Sequence, residues 1–168
     1  ALAYGAAGIA MGTRFMLTSD SPVADAAKQR YLNASVDDTV RTRAVDGLPQ
    51  RVLRNRLVDA LERSGRAALM ARALRSGLAY RQLSGQSVPD LLRSASTLRS
   101  AGKLTRAQTL MAANAPVLVR EGLVAGKAEE GVLPTGQVAG LIDDLPSCAD
   151  LIDSIATSAA ARLARLGA

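Results

Sequence analysis

The spacing of apolar positions changes several times along the chain. The opening stretch, Ala3-Tyr4-Gly5-Ala6-Ala7-Gly8-Ile9-Ala10-Met11-Gly12-Thr13-Arg14-Phe15, predicts the tail of a helix, a tight turn, one short strand and a polar end. Gly5 suits the position just past a helix, where positive φ costs glycine nothing. Ile9-Ala10-Met11 is a short apolar run, as expected of a strand covered on both faces. Ser21-Pro22 then signals a helix start, with the helix running to about Asn33. Val23, Ala26, Ala27 and Tyr31 would face its core, and Lys28 and Arg30 would be solvated. Thr39 to Val45 is rich in β-branched residues and reads as extended, followed by a turn at Asp46-Gly47-Leu48-Pro49.

Beyond that turn the pattern is helical. Leu53, Leu57, Ala60 and Leu61 fall at i, i+4, i+7 and i+8 and predict a helix over Gln50–Ser64. Further helices are expected over 66–76, 87–100 and 105–113, with Asn114 and Pro116 as stop signals and a short helix to Leu123. Gly131 to Thr135 reads as a loop, and Gly136 to Ile142 as a glycine-containing helix. Ser147 would cap a last helix whose apolar stripe is Leu151, Ile152, Ile155, Ala159 and Leu163. No internal repeat or low-complexity linker is present.

Composition narrows the class. The 168 residues suffice for one domain with a real core, and nearly half are apolar. Aromatics are confined to Tyr4, Phe15, Tyr31 and Tyr80, so the core is aliphatic and helix-favouring. The net charge of +6 is mostly arginine, which attracts phosphates or nucleic acid, or reflects coding composition. Cys148 stands alone, so no intrachain disulfide forms and a cytoplasmic location is expected. No run reaches the length of a membrane span, and the N-terminal segment lacks the basic region of a signal peptide. The absence of an initiator methionine and of any histidine suggests a piece of a longer protein.

Four groups of residues could carry chemistry. Gly12-Thr13 follows the apolar run, where glycine permits close ligand approach and N–H and hydroxyl groups can donate to phosphate. The alternative is an ordinary strand end. Arg41, Arg43, Arg51, Arg54 and Arg56 could grip phosphate bidentately or form a solvated, partly ion-paired surface. As a functional set, Arg43 and Arg54 would contact a nucleotide-bearing substrate. Gly136-Gln137 with Gly140 allows close backbone approach beside an amide that both donates and accepts, or simply helix packing. Asp143, Asp144, Asp150 and Asp153 lack further metal-ligand spacing, and the last two complement a helix dipole. No metal site is expected. With no histidine available, Cys148 reads as an inert thiol rather than a nucleophile.

The string Gly5-Ala6 with Gly8 and Met11-Gly12-Thr13-Arg14-Phe15 resembles the last barrel strand of the nitronate monooxygenase (2-nitropropane dioxygenase) family, which includes flavin-dependent enoyl-acyl-carrier-protein reductases. Further similarity lies in Ser19-Asp20-Ser21, Lys28 to Leu32, Val45 to Pro49, Arg51 to Arg54, Leu110 to Pro116 and Gly136 to Cys148. It is strongest toward an actinobacterial branch of steroid ring degradation. The resemblance implies the C-terminal portion of an α/β fold, a (β/α)₈ TIM barrel that binds FMN, followed by a mostly helical cap. Residues 1–34 would end the barrel, with Ala1 near the end of its seventh helix. Residues 35–130 would form the cap, and 131–168 the Gly-Gln helix and the C-terminal helix packing back.

Within that resemblance Gly12 and Thr13 hold the FMN phosphate, and Gln137 lies near the flavin. The catalytic histidine of classical members lies upstream, so no catalytic residue is carried over and this piece alone is expected to be inactive. The implied reaction is nitronate oxidation with O₂ or a related flavin redox reaction. The alternative is flavin-dependent reduction of a CoA-thioester intermediate. The substrate would be a small molecule, alkyl nitronate or CoA ester, without nucleic acid or membrane, in a possible homodimer. A basic helical nucleic-acid module is the distant alternative, disfavoured because stacking aromatics are scarce and no helix gathers the arginines.

Overall fold

A computed structural model of the chain describes residues 1–65 and 114–166, with the single positions 68 and 71. In order these form α1 (Thr13–Met16), α2 (Asp25–Leu32), β1 (Thr39–Thr42), β2 (Gln50–Leu53), α3 (Arg56–Arg63), α4 (Asn114–Leu123) and α5 (Cys148–Leu166). Short 3-10 turns lie at Val36–Asp38 and Ala139–Leu141. The helices expected over 66–76, 87–100 and 105–113 lie outside the described residues.

The expected helix tail before Gly5 does not form; residues 2–5 make a hydrogen-bonded turn instead, with Gly5 at the positive φ expected of it. Gly5 has φ 86°, and its N–H and that of Ala6 donate to the carbonyls of Leu2 and Ala1. The expected strand over Ile9–Met11 does not form. Ile9 is exposed, and no described segment pairs with this run. A strand's N–H and C=O groups need a neighbouring chain to satisfy them, and no described strand lies beside these residues.

β1 and β2 form an antiparallel hairpin with Thr39 opposite Leu53, Val40 opposite Val52, Arg41 opposite Arg51 and Thr42 opposite Gln50. Its connection contains the expected turn: Gly47 has φ 85°, and the Asp46 carboxylate accepts the Leu48 N–H at 2.9 Å. The helix expected over Gln50–Ser64 is thereby corrected. Its first four residues are strand, and the helix begins only at Arg56. Two forces divide the segment. β2 has partners on both edges, because Leu53 N–H donates to Leu133 O and Thr135 N–H to Arg51 O. Asn55 then caps α3, its Oδ1 accepting the Val58 N–H at 2.9 Å, which satisfies a donor that helix starts leave free. On α3, Leu57, Val58 and Leu61 are buried, whereas Ala60 faces solvent.

The hairpin lies between two apolar clusters because successive strand side chains point to opposite faces. Leu53 joins Leu17, Ala27, Tyr31, Leu133, Ala139 and Ile142. Val52 joins Val45, Leu57, Val58, Leu61, Leu118 and Val132. Tyr31 anchors the first cluster, its hydroxyl donating to Pro134 O at 2.6 Å, and burial pushes its pKa up.

α2 is shorter than expected, starting at Asp25, and Ala26 is exposed on it. Lys28 is buried rather than solvated. Its ammonium donates to Ser21 O at 2.8 Å and Ser19 O at 3.4 Å, satisfying carbonyls of the loop that leads into the helix. Arg30 is likewise engaged, donating to Arg54 O at 2.8 Å and approaching the Glu129 carboxylate at 3.4 Å. Asn114 and Pro116 lie inside α4 instead of ending a helix. Asn114 is held in place by donating to Val45 O at 3.0 Å.

The segment Gly136–Ile142 forms only the 3-10 turn, not the expected helix. Gly140 packs so tightly that a Cβ there would lie 2.3 Å from Val36 N. Ser147 caps α5 as predicted, its Oγ accepting the Asp150 N–H at 3.1 Å and donating to Asp150 Oδ2 at 2.6 Å. Of the predicted α5 stripe, Leu151 is buried, while Ile152 and Leu163 are exposed. Among the described residues no helix is long and apolar enough to cross a membrane.

Candidate functional site

The structure joins two of the segments singled out in the sequence. Gly12 immediately precedes α1, and no side chain caps that helix. The Thr13 hydroxyl oxygen accepts the Gly136 N–H at 2.8 Å. This bond puts Gln137, an exposed residue, one position from the contact. Because Thr13 Oγ1 is the acceptor there, its own proton remains available to an incoming oxygen. The first turn of α1 adds N–H groups of Thr13, Arg14 and Phe15, which have no partner among the described residues. A Cβ placed on Gly12 would meet nothing within 4 Å, so the backbone is open to approach at that point. N–H and O–H donors beside open backbone are groups of the kind a phosphate monoester accepts from.

Arg14, next to Thr13 in sequence, adds no free charge here. Its guanidinium lies 2.7 Å from the Asp144 carboxylate and donates to Asp144 O at 3.4 Å. Further along, the Asp20 carboxylate accepts the Cys148 N–H at 2.5 Å, tying the start of α5 to the loop after α1. That backbone donation holds Asp20 below its ordinary pKa. The Cys148 thiol sits 3.5 Å from the Thr18 hydroxyl. Asp38 is also held low, by the backbone N–H of Ser35 and then its hydroxyl.

The arginine group is divided by the hairpin. Arg54 is 2.6 Å from Asp59 and 3.9 Å from Glu62, and Arg56 is 3.9 Å from Glu129. Arg43 lies at the turn end of the hairpin and Arg54 beyond its other end. Five residue steps separate their levels, about 17 Å along the strands, so the two do not converge. Arg41 and Arg51 instead stand directly opposite each other. Neither they nor Arg43 makes an ion pair among the described residues. This opposition was hidden from the sequence by the helical reading of Gln50–Ser64. The signal that could have found it is Asp46-Gly47 between two strand-forming runs, a hairpin signature.

No group of three or more Cys, Asp or Glu gathers as a metal site among the described residues. Asp144 and Asp150 are engaged by Arg14 and by the α5 cap.

These features belong to a known family. Residues 1–158 match the nitronate monooxygenase family, and the chain belongs to it. Two relatives are described as (3aS,4S,5R,7aS)-5-hydroxy-7a-methyl-1-oxo-octahydro-1H-indene-4-carboxyl-CoA dehydrogenase. The Mycobacterium tuberculosis protein is 54% identical over 97% of this chain and 46% of its own length. The Rhodococcus jostii protein is 46% identical over 100% of this chain and 48% of its own length. The chain thus spans about half the length of these relatives. In structure it resembles FabK from Thermotoga maritima, with a TM-score of 0.57 at 25% identity over 98% of this chain and 40% of that one. A mutant of the same FabK gives a TM-score of 0.61 at 23% identity, covering 38% of its chain. Family and structural likeness together imply the TIM-barrel fold class.

Proposed function

We propose that this chain is the cofactor-phosphate and cap portion of an FMN-dependent oxidoreductase that dehydrogenates a CoA thioester. The observation that carries the flavin reading is the Thr13–Gly136 contact beside the open first turn of α1. Those donors suit the FMN phosphate, with Gly12, Thr13 and the N–H groups of Arg14 and Phe15 as its holders and Gln137 beside them. FMN, when bound, supplies the two-electron redox chemistry. The residues of this chain bind and orient. Thr13 fixes the phosphate end, and the Gly136 segment is held against it. Arg43 is a candidate for the charged end of the substrate, whereas Arg54 is engaged by Asp59 and Glu62. No described residue is assigned proton transfer, because none of the titratable groups lies free beside Thr13.

The CoA-thioester reading is supported by the two relatives at 54% and 46% identity, whose descriptions name such a substrate. Nitronate oxidation with O₂ is the second reading, favoured by the family match. The lone cysteine accords with a cytoplasmic protein. An anaerobic assay of the whole protein that contains this chain separates the two chemistries: its FMN-loaded form is mixed with a hydroxylated cycloalkane-carboxyl-CoA ester or with an alkyl nitronate, and the flavin absorbance is followed. Bleaching by the CoA ester and not by the nitronate is expected. Bleaching by the nitronate alone would favour the second reading, and bleaching by neither would remove both.

A further inference from the structure

The hairpin presents an arrangement that the fold does not explain. Arg41 and Arg51 are cross-strand partners, so their side chains leave the same face of the sheet, and like charges directly opposed destabilise a hairpin. Other arginines nearby have been given carboxylates: Arg14 has Asp144, Arg30 and Arg56 share Glu129, and Arg54 has Asp59 and Glu62. Arg41 and Arg51 have none among the described residues. Among the described residues Arg51 Nη1 donates only to the Thr39 hydroxyl at 3.4 Å, which lies two positions from Arg41 on the same strand and face. Arg43 follows two positions beyond Arg41, and the nearby Asp46 carboxylate accepts the Leu48 N–H and ion-pairs with none of the three among the described residues.

The location adds a second observation. Leu53, two residues from Arg51 on that face, packs with Leu17 just after α1. Arg51 O accepts the Thr135 N–H at 3.0 Å, and the next N–H, that of Gly136, is the one bound to Thr13. Two successive backbone N–H groups therefore link the arginine pair to the candidate cofactor-phosphate site.

We propose that Arg41, Arg51 and Arg43 form an anion platform that takes the phosphate groups of the coenzyme A moiety, separate from the site at Thr13. Opposed guanidinium forks can grip phosphate oxygens bidentately, and a bound anion relieves their mutual repulsion. The proposal deepens the CoA-thioester reading and rests on it for the identity of the ligand.

Calorimetric titration of the chain with coenzyme A, pantetheine and FMN tests it. Coenzyme A is expected to bind at least about tenfold more tightly than pantetheine, which lacks the phosphates. Arg41→Gln and Arg51→Gln are each expected to weaken coenzyme A about tenfold while leaving FMN within about twofold. Arg162→Gln, an equal charge change on α5, should leave both ligands unaffected. Equal affinity for coenzyme A and pantetheine, no coenzyme A binding, or a loss that falls on FMN instead would overturn the platform. Where a variant misfolds, 4′-phosphopantetheine against pantetheine, which differ by one phosphate alone, supplies the comparison, and equal affinity for those two overturns the platform. Failure of the underlying reading looks different: phosphate-dependent coenzyme A binding would persist while the anaerobic assay showed no flavin bleaching by a CoA ester.

Discussion

Thr13 and Gly136 meet across 123 positions of sequence, the threonine hydroxyl accepting the glycine N–H at 2.8 Å. A Cβ on Gly136 would lie 3.4 Å from that same oxygen, so the two backbones approach closely enough that the hydroxyl serves as the link between them. The contact orders the start of α1 and leaves one hydroxyl proton to donate. Thr13→Val keeps the shape and removes both capacities. It is expected to weaken FMN about tenfold or more, the worth of one hydrogen bond to a charged group. Thr13→Ser should retain most of the affinity. A flavin fluorescence titration of the three proteins checks this, and equal binding by the valine variant would contradict it.

Gly140 lies against Ser35 and Val36 with no room for a side chain, a Cβ falling 2.3 Å from Val36 N. Backbone cannot yield as a flexible side chain does, so Gly140→Ala is expected to cost about 1–3 kcal/mol or more. Gly8 has open space around it, and Gly8→Ala should stay within about 0.5 kcal/mol of the parent. Urea denaturation of the pair tests the distinction. A Gly140→Ala variant as stable as Gly8→Ala would contradict the packing described.

Asn55 makes three hydrogen bonds that tie the start of α3 to the loop after α4. It caps α3 through Oδ1, and its Nδ2 donates to Ala128 O at 2.6 Å and Gly131 O at 2.9 Å. Asn55→Ala is expected to cost about 1–3 kcal/mol, as cap and buried carbonyls lose their partner together. Asn55→Asp preserves the cap acceptor but sets a carboxylate against two carbonyls, and should be no more stable than alanine. Thermal melts would contradict this if aspartate matched the parent.

Asp20 gives the fold a sensitivity to acid. Its pKa is held below the ordinary value of 3.8 by the Cys148 N–H, and desolvation opposes this only in part. A carboxyl whose folded pKa is depressed contributes stability at neutral pH, and that contribution disappears as pH falls from about its unfolded value through the folded one. The difference in melting temperature between pH 7 and pH 3 should therefore be smaller in Asp20→Asn than in the parent. An unchanged difference would show that the α5 tether does not titrate.

Local signals were legible where the physics is local. Gly5 and Gly47 adopt the positive φ their settings suggested, and Ser147 caps its helix. Thr39–Thr42 is extended as its β-branched residues imply. Leu53, Leu57 and Leu61 are buried, yet their helical spacing concealed the change from strand to helix at Asn55. That change depends on Leu133 to Thr135 supplying a second edge to β2, some 80 positions away in sequence. Lys28 was hidden for a similar reason, since its partners are carbonyls of a loop whose path the composition does not reveal. The glycine-threonine site was visible as a motif, but its clasp to Gly136 was not, because periodicity carries no information about contacts between distant loops.

The most direct measurement compares FMN with riboflavin, which shares the ring system and lacks the phosphate, in equilibrium titrations of this protein. If Gly12, Thr13 and the first turn of α1 hold the phosphate, FMN binds at least about tenfold more tightly than riboflavin, and Thr13→Val removes most of that difference. Equal affinity for the two flavins, or a preference untouched by the substitution, would contradict a cofactor-phosphate site at Thr13.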